Sequence, residues 1–475
     1  MTTDDNKRHY VMNDDIIGLI FNKLSAKQLC RLQTVCRQFK ECSEQTLKNK
    51  SWTIRVGHQK DDTKNVSIVT INHMIIRTDN IFDLVESHQQ FDSILKNFAI
   101  VRTIQMSLCY INRQTIEKIV NRCPHLQRLE LCCIYMKTSD DEELRQMASL
   151  LSKIKYLSFR CVDDSRTKVF TIDLIKELSS LESLRISTFF NHSIVEQIVT
   201  YFPQTLRSLH LIDNNWRLTS LETIINRCPH LDQLSIEEMN YFMECNDIFI
   251  NICCKLNLKN LAFRFNNLSI DVFSKYIVKQ TQLKTLSITS DMCFDVTKMK
   301  TMNSLKTIKL YWIRCLPKLW SNLPKVFPNL SHISFDEIVI LCECNEDQPQ
   351  THCRQCQHKC MQSIAQLTHL KRLSLTKYYN RPVIGTDDLK LFSELNVLSL
   401  RTIGNQNRDE IVDELIQYCK HCAEKRVSQK CLKVMTNIEI RKPLEQRLKQ
   451  SFAEMNQLIP KFLKITNLDD FGCFE

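Results

Sequence analysis

An apolar triplet spelled L-x-x-L-x-L constrains this chain more than any other feature. It occurs at Val101/Ile104/Met106, Leu126/Leu129/Leu131, Ile154/Leu157/Phe159, Leu181/Leu184/Ile186, Leu206/Leu209/Leu211 and Leu231/Leu234/Ile236. It continues at Leu258/Leu261/Phe263, Leu283/Leu286/Ile288, Leu305/Ile308/Leu310, Leu330/Ile333/Phe335, Leu370/Leu373/Leu375 and Leu395/Leu398/Leu400. Successive first positions lie 25, 28, 27, 25, 25, 27, 25, 22, 25, 40 and 25 residues apart. A sustained period of roughly 20–29 residues marks a stack of like units, none of which can bury its apolar face alone. The last two apolar positions of each triplet are two apart. They therefore face one side of a short strand, and the residues between them face the other.

The connectors read as short helices. Ile116, Ile119 and Val120 have helical spacing, as do Leu174, Ile175 and Leu178, and Ile194, Ile198 and Val199. Pro124, Pro203, Pro229 and Pro328 fall two or three residues before a triplet, where proline ends a helix and favours extended chain. The segment Asn121-Arg122-Cys123-Pro124-His125-Leu126 returns as Asn226-Arg227-Cys228-Pro229-His230-Leu231. On these features the region from about Phe98 to Thr402 resembles a leucine-rich-repeat solenoid. The Cys-Pro-x-Leu spelling is similar to the cysteine-containing subclass that often accompanies F-box domains. The resemblance implies a horseshoe, with a parallel sheet on its concave face and helices on its convex face.

Met12 to Trp52 carries a different pattern. Asn13 can cap a helix whose positive end suits Asp14 and Asp15. Ile16, Ile17, Ile20, Phe21 and Leu24 follow at helical spacing, and a second helix from Ser25 carries Leu29, Leu32, Val35 and Cys36, with Phe39 and Trp52 beyond. A unit of this size has a marginal core and gains from a partner. The run from Met12 to Leu24, the pair Gln28-Leu29, and Val35-Cys36-Arg37-Gln38-Phe39 resemble an F-box, with Leu47 and Trp52 near its closing Leu-Trp. The family usually opens Leu-Pro, where this chain has Met12-Asn13. The resemblance implies that Met12, Ile16, Ile17, Ile20, Phe21, Leu24, Leu29, Leu32, Val35, Cys36, Phe39 and Trp52 bind a Skp-type adaptor.

The expected organisation is α/β: a three-helix F-box domain at 1–57, an irregular first repeat or linker at 58–97, the solenoid at 98–403, and a helical cap at 404–475. Five glycines occur among 475 residues, and none lies between Gly57 and Gly385, which argues against glycine-rich phosphate loops across the repeats. Lys and Arg exceed Asp and Glu by 64 − 53, or +11, spread over a long chain, so the charge does not imply a nucleic-acid face. There are 23 cysteines. The polar N-terminus lacks a secretory signal, so reduced, packed thiols in the cytoplasm or nucleus are expected. No apolar run is long enough to span a membrane.

Two places invite a functional reading. On the concave face, Arg128, Arg160, Arg185, His210 and Arg264 lie beside the triplets. They suit an acidic or phosphorylated target segment, because arginine pairs well with carboxylate and phosphate. The alternative is a solvated sheet, with Glu130 and Glu237 diluting the charge. Six of the twelve central positions are serine, mostly in the later repeats. The 40-residue interval holds a Cys-rich insertion at about 341–362, with Cys342, Cys344, Cys353, Cys356 and Cys360, and His352 and His358 among them. C-x2-C can grip one side of a tetrahedral zinc and a second pair can close it, so a structural zinc is one reading. A mobile Cys-rich insertion is the other. Cys419-Lys420-His421-Cys422 falls on an expected helix and reads as packing.

No nucleophile–base set and no G-x-S-x-G, H-E-x-x-H or Walker pattern can be assembled, so a binding protein rather than an enzyme is expected, with no required cofactor. The combined resemblance implies the substrate receptor of an SCF-type, cullin–RING ubiquitin ligase, holding a Skp-type adaptor at one end and a protein target along the repeats. A non-catalytic scaffold, or a nucleic-acid-binding repeat protein, are the alternatives.

Overall fold

The computed structural model describes residues 53–56, 73–83, 102–138, 140–160, 165–187, 192–212, 218–237, 245–264, 268–289, 296–311, 314–315, 317–336, 339–340, 354–377, 386–402, 408–425, 432–436, 443–448, 450–451 and 463–467. The chain divides into two compact units, Met1–Cys228 and Pro229–Glu475.

The first unit is a parallel ladder built from β1 (Thr53–Val56), β2 (His73–Asp83), β3 (Thr103–Ile111), β4 (Arg128–Cys132), β6 (Tyr156–Arg160), β7 (Ser183–Ser187) and β8 (Ser208–Ile212), with a short β5 (Tyr135–Met136) beside the end of β3. The triplets set the register: Ile104, Leu129, Leu157, Leu184 and Leu209 are successive partners, as are Met106, Leu131, Phe159, Ile186 and Leu211. All ten are buried. Helices α1 (Arg113–Arg122), α2 (Asp141–Leu150), α3 (Ser165–Glu177), α4 (His192–Val199) and α5 (Leu218–Arg227) fill the connectors, and bury Ile116, Ile119, Leu174, Ile175, Ile198 and Val199 as their spacing requires. Asn112 caps α1 by accepting from the Thr115 backbone N–H at 2.9 Å, and Asp140 caps α2 by accepting from Glu142 N at 3.0 Å.

The second unit repeats the plan with β9 (Gln233–Glu237), α6 (Cys245–Lys255), β10 (Asn260–Arg264), α7 (Ile270–Ile277), β11 (Thr285–Thr289) and β12 (Thr307–Tyr311). A two-residue β13 (Arg314–Cys315) and α8 (Pro317–Val326) lead to β14 (His332–Asp336) and β15 (Val339–Ile340), the last pairing with β13. Then come α9 (Arg354–Ala365), β16 (Arg372–Lys377), α10 (Thr386–Lys390), β17 (Val397–Thr402), α11 (Arg408–Lys425), β18 (Leu432–Thr436) and β19 (Leu463–Asn467). Helices pack on the buried strand face. Phe249 of α6 meets Phe263 of β10 at 5.4 Å between ring centroids, and Trp320 of α8 meets Phe335 of β14 edge-on at 4.8 Å. Both units are leucine-rich-repeat solenoid in plan: strand, connector and strand, each strand parallel to the last.

One device recurs between neighbouring repeats. The carbonyl just before a strand accepts two backbone N–H groups from the next repeat. Gln127 O accepts from Lys155 and Tyr156 at 2.8 and 3.0 Å, Lys284 O from Lys306 and Thr307 at 2.9 Å each, and Lys371 O from Asn396 and Val397 at 2.8 and 3.0 Å. The first residue of the triplet closes a turn onto the residue three before it, as Leu126 N does on Cys123 O at 3.0 Å and Leu370 N on Leu367 O at 3.0 Å.

The structure departs from the expected boundaries at both ends. β1 starts at Thr53, inside the span expected for the first domain, and two strands, β1 and β2, precede β3 where one irregular repeat was expected. At the other end, 404–475 is not a purely helical cap, because β18 and β19 extend the ladder past β17. The third triplet position there is polar. Thr436 partners Leu400, and Asn467 partners Thr436. A pattern of three apolar residues therefore stops at Leu400 although the pairing does not. The Cys-rich interval also differs from a continuous loop, since 354–365 is helix α9, the connector of its own repeat.

The buried Gln280 gives the fold a local test. Its amide donates to Cys253 O at 3.0 Å and Leu256 O at 2.7 Å, and its carbonyl accepts from Leu258 N at 2.7 Å. Gln280→Leu fits the volume but strands three buried backbone groups. The expected loss is on the order of 3 kcal/mol in urea unfolding of the full chain. A loss below about 0.5 kcal/mol would show that these bonds are replaced by other partners.

Candidate functional site

Alternation along each strand leaves three rows of side chains on the ladder face opposite the core. In the first unit the first row is Thr103, Arg128, Tyr156, Ser183 and Ser208, and the middle row is Gln105, Glu130, Ser158, Arg185 and His210. The last row is Cys132, Arg160, Ser187 and Ile212. Arg185 and His210 are direct register partners on β7 and β8, half-buried, and each already engages other groups. Arg160 stands exposed on the neighbouring β6, one row further along. Arg128 lies elsewhere on the face. Its guanidinium sits 5.1 Å from the centroid of the Tyr156 ring, a cation–π contact between β4 and β6. Glu130 occupies the middle row between them. Four of the five basic residues singled out in the sequence are thus on consecutive ladder strands, β4, β6, β7 and β8, with Arg128 in the first row. Arg264 belongs to the second unit, on β10.

The other sequence-selected residues divide differently. Met12, Ile16, Ile17, Ile20, Phe21, Leu24, Leu29, Leu32, Val35, Cys36, Phe39 and Trp52 lie outside the described residues, as do Cys342, Cys344, His352 and Cys353. Cys356 falls within α9. Cys360 is on the same helix and is buried in the core at 1% exposure, alongside Met361 and Ile364. His358 points away from it: Nδ1 is 2.5 Å from Asp388 Oδ1 of α10, and Nε2 is 2.9 Å from the Gln362 amide. Among the described residues no cluster of three or more His, Cys, Asp or Glu side chains could hold a metal ion. Cys419 and Cys422 are buried on α11, as the packing reading expected, and burial pushes the Cys419 thiol pKa up.

The second unit carries a basic group that the sequence did not single out. Its middle row is Ser235, Ala262, Ser287, Lys309, Ser334, Ser374 and Ser399. Lys309 is the single charged residue in this row. In the first row, His332 of β14 and Arg372 of β16 are direct partners. Ser334 is the lateral neighbour of Lys309, and lies two residues along the strand from His332. Burial lowers the Lys309 pKa, and the Arg372 charge lowers it further. Burial also pushes His332 down to about 4, with Arg372 and then Lys309 adding to the effect. The His332 Nε2 is buried with no hydrogen-bond partner among the described residues. In the last row, Tyr311 partners Asp336, and its phenol pKa is raised by burial first, then by Asp336 and Glu237. The signal was present in the sequence: His332 and Arg372 both stand two residues after the first leucine of consecutive triplets. The 40-residue gap separated them on the page.

Comparison with known proteins adds the N-terminal segment. A family model described as F-box-like matches residues 14–48. A search of curated proteins finds no match. Among solved structures, the chain is similar to a crystal structure of the Rad7 and Elc1 complex in yeast, at 16% identity over 71% of this chain and 92% of that one, with a TM-score of 0.42. It is also similar to the leucine-rich repeat-containing protein LegL7 from Legionella pneumophila, at 10% identity over 67% and 98%, TM-score 0.37. A third likeness is to the TLR13-ssRNA13 complex, at 15% identity over 87% of this chain and 55% of that one, TM-score 0.36. An F-box-like segment ahead of leucine-rich repeats makes the chain similar to F-box/leucine-rich-repeat proteins. That pairing is the layout of a protein-interaction adaptor.

The depressed His332 gives a pH test. A folded-state pKa of about 4, against an ordinary value of 6.5, means that the unfolded chain binds the proton more readily. The His332 contribution to stability is therefore complete above about pH 6.5 and is lost progressively as pH falls toward about 4. In chloride buffers, the full chain should lose more stability between pH 7.5 and 5 than His332→Gln does. Parallel pH profiles for the two would contradict the burial of this imidazole.

Proposed function

We propose that this chain is the substrate-recognition subunit of an SCF-type ubiquitin ligase. Its F-box-like segment binds a Skp-type adaptor within a cullin–RING assembly, and the open face of its repeats binds a protein target for ubiquitylation. The observation that carries the reading is the F-box-like match at residues 14–48, immediately ahead of the first ladder strand at Thr53. An adaptor-binding segment joined to a long open row of side chains can tether two proteins, and a tether raises the effective concentration of one beside the other. In this reading the chain makes and breaks no bonds itself. It acts in the cytoplasm or nucleus, where thiols remain reduced.

The Arg160, Arg185 and His210 group is proposed as one target contact, for an acidic or phosphorylated segment. The paired experiment separates the two ends of the tether. Ile20→Asp with Phe21→Asp should abolish capture of the Skp-type adaptor and cullin while leaving the repeats folded. Arg160→Glu with Arg185→Glu should cut target capture at least tenfold while leaving the adaptor bound. Targets are read by affinity purification under proteasome inhibition. Adaptor retained by the first variant counts against the F-box reading. Adaptor captured without cullin by the intact chain identifies a scaffold instead.

A structural zinc held by Cys342, Cys344, Cys353 and Cys356 is also proposed, with His352 as a substitute ligand. The support is the concentration of thiols where the repeat period lengthens. Cys360 and His358 are not included, because the first is buried in the core and the second is held by Asp388. Elemental analysis of protein purified without added metal should give about one zinc per chain, lost in Cys353→Ser with Cys356→Ser. Metal-free protein with an equally protease-sensitive 341–353 segment, with and without chelator, would remove the site.

A further inference from the structure

The turn at the end of β4 carries a modification site: we propose that Cys132 and Cys133 are an oxidation site, at which a peroxide closes the two thiols into a disulfide between adjacent residues. The pair stands on the open face beside Arg160, so closure also alters the Arg160 end of the target contact. That second consequence rests on the receptor reading above; the oxidation itself does not.

Neighbouring residues of a strand point to opposite sides, so consecutive cysteines in extended chain hold their sulfurs apart. Along β4 the alternation is regular as far as Cys132: Leu129 and Leu131 are buried, while Glu130 and Cys132 lie on the other side. Continued alternation would send Cys133 into the core and Ile134 outward. The structure does the reverse. Cys133 is half-exposed, and Ile134 takes the inward place at 0% exposure, followed by the buried Met136. The cause is the backbone of Cys133, whose φ of 52° is the one positive value outside glycine among the described residues. A side chain with a Cβ enters that region at a cost, and glycine would make the same turn more easily. The turn sets Cys133 Sγ 3.9 Å from Cys132 Sγ, where it accepts the Cys132 S–H.

The other adjacent pair in the chain is a contrast. Cys253 and Cys254 lie on α6, where Cys253 is in the core and Cys254 faces solvent. Among the described cysteines, Cys132, Cys133 and Cys254 are those that are not buried. Cys132 and Cys133 alone of these combine access to solvent with a second accessible thiol in contact. Such a neighbour lets oxidation stop at a disulfide instead of running on to sulfinic acid.

The step balances with one hydrogen peroxide. One thiol loses its proton and its sulfur attacks a peroxide oxygen. The S–O bond forms, the O–O bond breaks, and the departing hydroxide takes up the proton and leaves as water. The second thiol then loses its proton and its sulfur attacks the sulfenic sulfur. The S–S bond forms, the S–O bond breaks, and a second water leaves. The peptide inside the new ring is the one whose N–H, on Cys133, donates to Arg160 O at 2.8 Å. Cys132 is also the register partner of Arg160 on β6. Ring closure therefore acts on the backbone that carries Arg160.

Trypsin gives a direct readout on the full chain. Cleavage after Arg128 and Lys137 releases residues 129–137, which hold these two cysteines and no other. The reduced chain is treated with hydrogen peroxide, remaining thiols are blocked with N-ethylmaleimide, and the digest is weighed. The 129–137 peptide should be lighter by two hydrogen atoms and carry no maleimide; reductant added before blocking should restore two alkylated thiols. Sulfinic acid on either cysteine, or a bond from either sulfur to another peptide, including that of Cys161 next after Arg160, overturns the pair. On the reduced chain, phenylarsine oxide, which is held by two thiols together, should shield both cysteines of this peptide from alkylation. Unshielded alkylation overturns the contact between their sulfurs.

Cys133→Gly suits the backbone of the turn and should keep the cooperative melting of the parent chain, and Cys132→Ser is a second variant should it not. In each, peroxide should carry the remaining thiol to sulfinic acid. A remaining thiol that resists peroxide as the closed pair does overturns the pairing. The proteins whose capture Arg160→Glu with Arg185→Glu loses are then compared on reduced and oxidised chain. Their capture should change severalfold on oxidation of the parent and not of Cys132→Ser. Unchanged capture by a chain whose 129–137 peptide is closed overturns the link to the target contact. Failure to capture the Skp-type adaptor, with closure intact, counts against the ligase reading alone.

Discussion

The carbonyl that precedes a ladder strand, accepting two N–H groups from the next repeat at most of the described steps, is the contact on which the rest of this structure depends. A carbonyl has two lone pairs, and here both are used. The pair of bonds fixes the register of the incoming strand before its own ladder begins, and a slip by one residue would turn every triplet away from the core. What lies between strands is then free to vary. The 40-residue interval shows this directly. Lys371 N and Arg372 N still reach Ser331 O at 2.9 and 3.0 Å, although the segment between them is about 15 residues longer than the usual period. The 22-residue interval shows the opposite limit: its described connector residues, 296–306, form turns, and Val296, Met299 and Met302 are buried there.

Cysteine and glutamine solve the same problem at the base of the repeats in different ways. Three residues before the triplet the chain must be buried and must also let its turn carbonyls be satisfied. Cys123 and Cys228 are small, and burial pushes their thiols up to about 12 and about 11, so they remain neutral. Cys228 Sγ lies 3.6 Å from Pro203 O, one repeat back. Gln280 at the same offset replaces packing with three hydrogen bonds. Many of the cysteines are therefore structural, and their number says little about redox chemistry. Cys133 is a separate case. It adopts φ 52° at the end of β4, a conformation that favours glycine, and its N–H is held by Arg160 O at 2.8 Å.

Most of the fold was legible because the ladder reads two apolar positions per repeat and the chain repeats them with little variation. The connectors were legible where their own apolar spacing was helical. The ends were less so, because the ladder needs backbone pairing and only one good apolar position. Val434 supplies that position on β18, while Thr436 breaks the pattern used to find it. The candidate sites were harder for a related reason. A residue's row follows from its offset within a repeat, so Arg185 and His210 could be placed side by side. Whether a side chain there is exposed, stacked on a ring or already engaged depends on its neighbours in two other repeats. Arg128 over Tyr156 and Cys360 in the core are examples, and neither follows from spacing within one repeat.

This division of labour bears on where function can reside. The inward positions answer to packing, and the base of each repeat answers to backbone satisfaction. The open rows answer to neither, so a residue there that makes the fold less comfortable needs another explanation. Serine fills most of the second unit's middle row at little cost. Against that background, half-buried Lys309 and His332 stand out, because burial first and the Arg372 charge second oppose the charged form of each. Sequences specify a fold when every level agrees, and disagreement confined to one place on an otherwise consistent scaffold is the physical mark of a site shaped by something besides folding. In the first unit the basic residues are interleaved with Glu130 and a tyrosine ring, so their charges are partly answered within the chain.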